Sequence, residues 1–170
     1  DEFVNAAFEY ERLVDTYPSS QWRDDAQYKI GESYFEQSRR AELDQSETYQ
    51  ALSAYRRFLE DNPGSPLVAD ARNRIAESRG RLAKKQYLAG RLYHRQGHLG
   101  AAHITYQELL NAYSQTSWYW HGLAQLGLVA RSQGESEEAR GHWQEVLQGD
   151  TEDEDLLADV RKWIAELDAE

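Results

Sequence analysis

Cysteine is missing from this 170-residue chain, and so is methionine. Without cysteine there is no disulfide, no thiolate zinc site and no cysteine nucleophile within this sequence. The first residue is Asp, so a processed or excised chain is expected, with further residues upstream. No apolar run approaches the ~20 residues needed to cross a membrane, and the sequence contains no signal peptide. Proline occurs only three times and glycine eleven times among many Ala, Glu, Arg, Leu and Gln, a composition that favours helix. Alternating β-branched runs and Asn-Gly hairpin turns are absent, so strands are not expected. Positive charge is scarce, because 19 Lys+Arg against 30 Asp+Glu leave a net charge of −11. Nucleic-acid binding rests on clustered cations, so no nucleic-acid partner is expected. Only four lysines occur and none follows a glycine-rich run, which excludes a phosphate loop. No Gly-x-Ser-x-Gly nucleophile elbow is present either. Aromatics, by contrast, are plentiful at 12%, so the chain is no disordered acidic tail, and its length suits one ordinary domain with a real core.

Four segments share one register. Ala6, Tyr10 and Leu13 recur as Ala51, Tyr55 and Phe58, as Ala102, Tyr106 and Leu109, and as Ala139, Trp143 and Val146. Offsets of four and seven return to one face of a helix. Twelve residues after each Ala come Pro18, Pro63, Ser114 and Thr151, and proline there ends one helix and begins the next segment. Upstream of three Ala positions stand Gly31, Gly90 and Gly127. Gly90 to Ala102 and Gly127 to Ala139 are both 12 residues, whereas Gly31 to Ala51 is 20, an insertion of eight. Small residues allow two antiparallel helices to cross closely, and the aromatic is expected to fill the space between one hairpin and the next. No hairpin can bury its own apolar face, so neighbours must stack.

The spacing predicts helices at 2–17, 21–38, 46–61, 99–113, 117–133, 136–148 and 153–168. From Pro66 to Gln96 it predicts either one long helix or two joined by a kink at Gly80, with Gly97 as the C-terminal stop. Ser136 is expected to cap the helix that follows it.

This pattern resembles the tetratricopeptide repeat, which implies an all-α solenoid of stacked antiparallel helix hairpins. On that reading residues 1–170 form a single repeat domain. Residues 1–18 are the second helix of a truncated repeat, 21–63 a repeat with an insertion at 39–45, 66–114 the long helix plus a repeat, 117–150 a repeat and 153–168 a capping helix. The face of the first helix that a preceding helix would cover is expected to be apolar and exposed, among Phe3, Phe8 and Leu13.

A narrower likeness rests on particular strings. Tyr17-Pro-Ser-Ser is followed by Ala26-x-Tyr28-x-Ile30-Gly31-x-x-Tyr34, by Asp70-Ala71, and by Arg81-Leu82-Ala83-Lys84. Then come Gly90-x-x-Tyr93-x-x-x-Gly97-x-x-x-Ala101-Ala102 and Leu110-x-x-Tyr113. The chain resembles the BamD family, the tetratricopeptide lipoproteins of the outer-membrane β-barrel assembly machine. That resemblance implies a non-catalytic scaffold at the periplasmic face of the outer membrane, without cofactor. Its implied partners are a POTRA domain of BamA, other assembly lipoproteins and unfolded outer-membrane protein substrates. Membrane attachment would come through a lipidated N-terminal Cys that this chain does not contain. The sequence departs from the family at Ser114, where members often have Pro, and at Thr105, where they often have a basic residue, so the salt bridge made there does not carry over. The alternative is a cell-division or cell-wall adaptor that holds a peptide or coiled-coil partner. A peptide clamp wants like residues at successive first helices, and those positions hold Glu32, Arg91 and Leu128.

Catalytic and metal chemistry find little support. His94 and His98 are four apart, but Gly97 between them stops the helix, no Glu follows His94 and His103 has no arranged carboxylate partner. The acidic run from Thr151 to Asp155 reads as a solvated helix start. Two features suggest docking. Trp118, Tyr119 and Trp120 are consecutive, and successive helical residues rotate by about 100°, so all three cannot face inward. Arg72, Arg74, Arg79, Arg81, Lys84, Lys85, Arg91 and Arg95 form a basic stripe along the long helix, with Glu77–Arg81 as an expected internal pair. The expected docking residues are Arg91, Arg95, His98, Thr105, Trp118, Tyr119 and Trp120.

Overall fold

A computed structural model describes residues 2–169. It contains α1 (Glu2–Thr16), α2 (Arg23–Gln37), α3 (Ser46–Asp61), α4 (Val68–Arg95), α5 (Leu99–Ala112), α6 (Trp118–Gln133), α7 (Ser136–Gln148) and α8 (Glu154–Asp168). No strand occurs among the described residues. The chain is all-α, built from helix hairpins of the tetratricopeptide kind. α4 runs unbroken for 28 residues through Gly80, and Gly97 beyond it takes the left-handed φ of 77°. Two compact units divide within α4, at Leu82 and Ala83.

In the first unit α2 packs against both α1 and α3. Its core holds Tyr28, Phe35, Ala51, Tyr55, Phe58 and Ala71. Gly31 lies directly beneath Tyr55, where a Cβ would come to 2.7 Å from the ring. Tyr28 tilts onto Tyr55 at 5.5 Å and meets Phe58 edge-on at 5.7 Å. Polar contacts fix the end of α3 to the start of α2. Gln27 donates to Asp61 at 2.7 Å, Asn62 donates to Gln27 at 2.8 Å and Ser65 donates to Asp24 at 2.8 Å. On α1, Ala7 and Val14 are buried, Ala6, Tyr10 and Leu13 are half-buried, and Phe3 and Phe8 are exposed.

The basic stripe is used differently than the sequence suggests. Glu77 pairs with Arg74 at 3.0 Å, not with Arg81. Arg74 and Arg81, seven residues apart on one face, both lie over the Phe35 ring, at 4.5 and 4.7 Å. Arg81 also donates to the Ser38 hydroxyl. The aromatic ring of α2 draws Arg81 away from its intrahelical partner.

The insertion after α2 is an ordered loop built on a buried amide. Gln45 Nε2 donates to the carbonyls of Arg40 at 2.9 Å and Asp44 at 3.1 Å, with those of Arg39 and Leu43 at 3.4 and 3.3 Å. Its Oε1 accepts from Thr48 at 2.8 Å. Gln45→Leu removes these hydrogen bonds, although the Arg40 carbonyl keeps the Leu43 amide at 2.9 Å, and we expect a loss of about 2 kcal/mol in urea unfolding. An unchanged midpoint would show that the amide does not organise the loop.

In the second unit α5, α6, α7 and α8 pack in sequential pairs. One cluster centres on Trp143 with Leu123, Ala124, Val146 and Val160, another on Tyr106 with Ala102, Leu126 and Val129. Gly90 lies under Tyr106 and Gly127 under Trp143, repeating Gly31 and Tyr55. Each aromatic therefore covers the glycine of its own hairpin, where the sequence pattern suggested a filler between hairpins. The expected Ser136 cap is also displaced. Gly134 at φ 82° and Glu135 close α6, the Glu135 amide donating to Ala130 at 2.9 Å, so Glu135 stands at the cap of α7 and Ser136 is already helical. At α8 the Asp153 carboxylate accepts from the Leu156 amide at 3.0 Å.

Candidate functional site

Three helices of the second unit enclose a groove of about 590 Å³. α4 contributes Tyr87, Arg91, His94 and Arg95, at spacings that share one helical face. α6 contributes His121, Gln125 and Leu128, again on one face. α8 and its cap contribute Asp153, Asp155, Leu156, Asp159 and Trp163. One wall is therefore basic and the facing wall acidic. Arg91, Arg95, Asp155 and Asp159 are all exposed, and no ion pair joins the two walls among the described residues.

A column of rings and cations borders the groove. Lys84 lies 5.7 Å over Trp118, Trp118 packs on Tyr87 at 5.0 Å, and Arg91 lies 5.8 Å over Tyr87. His121 sits against both Trp118 and Tyr87, at 5.1 and 5.8 Å. Burial raises the Tyr87 hydroxyl pKa, and Arg91 opposes the shift. His121 Nε2 is 3.2 Å from Asp153 Oδ2, and His94 Nε2 is 3.1 Å from Ser132 Oγ.

Burial lowers the pKa of both histidines, and for His121 it outweighs the opposing Asp153 carboxylate. A folded pKa below the unfolded 6.5 means that the unfolded chain binds more protons in acid. The stability contribution is therefore present above pH 6.5 and is lost as pH falls through the folded values. We expect the unfolding free energy to decline below pH 6.5, and His94→Asn with His121→Asn to flatten that decline in urea titrations at stepped pH. An identical slope in the double variant would assign the decline to other groups.

The structure separates the residues expected to dock. Arg91, Arg95 and Trp118 come together at or beside the groove. Trp118, Tyr119 and Trp120 are all half-buried, and each turns to a different neighbour. Tyr119 donates to Glu145 on α7 at 3.3 Å, and Trp120 meets Tyr119 edge-on at 4.9 Å while covering Gly149. These two rings close the α6–α7 hairpin. Thr105 is buried, with its hydroxyl donating to Ala101 at 2.8 Å, which removes it from any surface. His98 is exposed at the start of α5.

One surface escaped the sequence reading. Leu92, Tyr93 and Ile104 are large, apolar and exposed, Ile104 by 60%. Gln86 donating to Glu108 at 2.8 Å, and Gly90 beneath Tyr106, fix the register of α4 against α5. At about 100° per residue, Leu92 stands about 200° round α4 from Gly90 and Ile104 about 200° round α5 from Tyr106, so both point away from the seam between the two helices. The only sequence signal was an Ile outside the repeated Ala102–Tyr106–Leu109 triad.

Successive hairpins in which an aromatic ring covers a glycine define a helix-repeat protein. The family described as "Outer membrane lipoprotein", YfiO, matches residues 1–145, and the chain belongs to it. Outer membrane protein assembly factor BamD of Caulobacter vibrioides is 29% identical over 140 residues, 82% of this chain and 46% of that protein. The chain thus spans about half the length of that curated relative. The crystal structure of MamA is 15% identical, covering 86% of this chain and 87% of its own, with a TM-score of 0.36, a likeness too slight to argue from.

Proposed function

We propose that this chain is a non-catalytic scaffold of outer-membrane β-barrel assembly, acting at the periplasmic face and docking the POTRA region of BamA through residues 83–170. Membership of the outer-membrane lipoprotein family and the likeness to an assembly factor support the role. On this reading all 170 residues serve as one repeat domain, other assembly lipoproteins and unfolded outer-membrane proteins are further partners, and a lipidated N-terminus provides the membrane anchor.

The observation that carries the docking surface is the exposure of three large apolar side chains, Leu92, Tyr93 and Ile104, on a hairpin whose Ala102, Tyr106 and Leu109 are wholly buried. Arg91, Arg95 and His98 adjoin it on α4 and the α4–α5 turn. Apolar anchors supply affinity and flanking cations steer association. Thr105, Trp118, Tyr119 and Trp120 stay outside the proposed surface because packing within the unit engages them.

Surface plasmon resonance against the isolated POTRA region tests this. Ile104→Asp is expected to weaken binding by about tenfold or more, chiefly through faster dissociation. Arg91→Glu with Arg95→Glu should slow association, by less as salt rises. If both folded variants bind like the parent chain, the docking surface lies elsewhere.

A further inference from the structure

The groove between α4, α6 and α8 shares Arg91 and Arg95 with the proposed docking surface, but its acidic α8 wall and apolar floor have no part in that docking. Arg91 and Arg95 stand on one wall and Asp155 and Asp159 on the other, with Leu128, Leu156 and Trp163 between them. We infer that this groove binds an extended segment of a partner protein that carries an acidic side chain at one end, an apolar one in the middle and a basic one at the other.

The argument is one of complementarity. Neither wall neutralises the other, since no ion pair crosses between them. A polyanion would meet the α8 carboxylates and a lone cation would meet the α4 guanidinium groups, so either ligand satisfies one wall and is repelled by the other. A segment of both signs satisfies both walls at once. The floor offers Gln125 for backbone hydrogen bonds and Leu128, Leu156 and Trp163 for an apolar side chain. An extended chain presents its successive side chains to both walls and to the floor between them. The groove, about 590 Å³, lies within the range of ordinary ligand pockets. The walls are also rigidly placed. Tyr87 is clamped by Trp118, His121 and Arg91. Trp163 rests against the buried Trp143 at 5.9 Å.

The test is calorimetric titration of the intact chain with three capped six-residue peptides. The first has two glutamates, then leucine and tyrosine, then two lysines; the others replace the charged residues with all glutamate or all lysine. The mixed peptide is expected to bind at least about tenfold more tightly than either single-sign peptide. Arg91→Glu with Arg95→Glu, or Asp155→Lys with Asp159→Lys, should each weaken the mixed peptide by about tenfold or more. Combining all four substitutions keeps the net charge at −11 and lets the peptide bind in the opposite direction, so affinity should return to within about threefold of the parent. All four side chains are exposed, and circular dichroism melts establish that each variant is folded. The inference is overturned if the mixed peptide shows no binding, if a single-sign peptide binds as well, or if the fourfold swap fails to restore affinity.

Discussion

Gly127→Ala is expected to cost about 3 kcal/mol, although alanine is the better helix former. The added Cβ would fall within the Trp143 indole, against Nε1, Cδ1 and Cε2 together. The ring has no room to withdraw, because it is fully buried and its Nε1 donates to the Ala124 carbonyl at 3.0 Å. Gly31→Ala and Gly90→Ala should behave alike, with contacts of 2.7 Å to Tyr55 and 2.5 Å to Tyr106, both of them fully buried rings. Gly80, Gly100 and Gly141 are the contrast, since a Cβ at any of them meets nothing within 4 Å. Alanine there should be neutral or should stabilise by up to about 1 kcal/mol, by helix propensity alone. Urea unfolding of the six variants checks the division. If all six fall together, the glycines are not where the hairpins depend on close approach.

The same six glycines show what was legible in the sequence. Gly31, Gly90 and Gly127 stood out because helical periodicity and side-chain size are local properties, and they recur in register with Ala and an aromatic. Periodicity gives a face and not its partner, so the aromatics were assigned to the space between hairpins although each covers the glycine of its own. The three rings at 118–120 illustrate both halves of this. Their divergence follows from 100° per residue, whereas the pairings of Trp118 with Tyr87 and Tyr119 with Glu145 depend on helices far along the chain. Asp155 read as part of a solvated helix start and Asp159 drew no reading, and only the nearness of α8 to α4 makes them a wall facing Arg91 and Arg95. Gln45 read as part of a polar insertion, because nothing local reveals an amide turned inward onto four carbonyls. Ile104 was hidden for the opposite reason. Its helix carries apolar residues on several faces, and exposure is decided by which of them α4 and α6 cover.

Trp143→Ala is expected to destabilise the chain by about 3–5 kcal/mol, a large share of the total stability of a typical domain. The indole is the largest fully buried side chain, and its loss leaves a cavity among Leu123, Ala124, Val146 and Val160. It also withdraws support from Trp163, which lines the groove. Trp143→Phe should recover part of this, because the core is refilled in part while the hydrogen bond to Ala124, worth about 1 kcal/mol, stays lost. The decisive measurement is the coupling with Gly127. If the cost of Gly127→Ala arises from collision with the indole, it should vanish once Trp143 is Ala, since the new methyl group then fills space that the ring has left. The double variant should therefore be no less stable than Trp143→Ala alone, with a coupling energy of about 3 kcal/mol. Simple addition of the two losses in urea titrations would mean that Gly127 is required by its backbone and not by the ring above it.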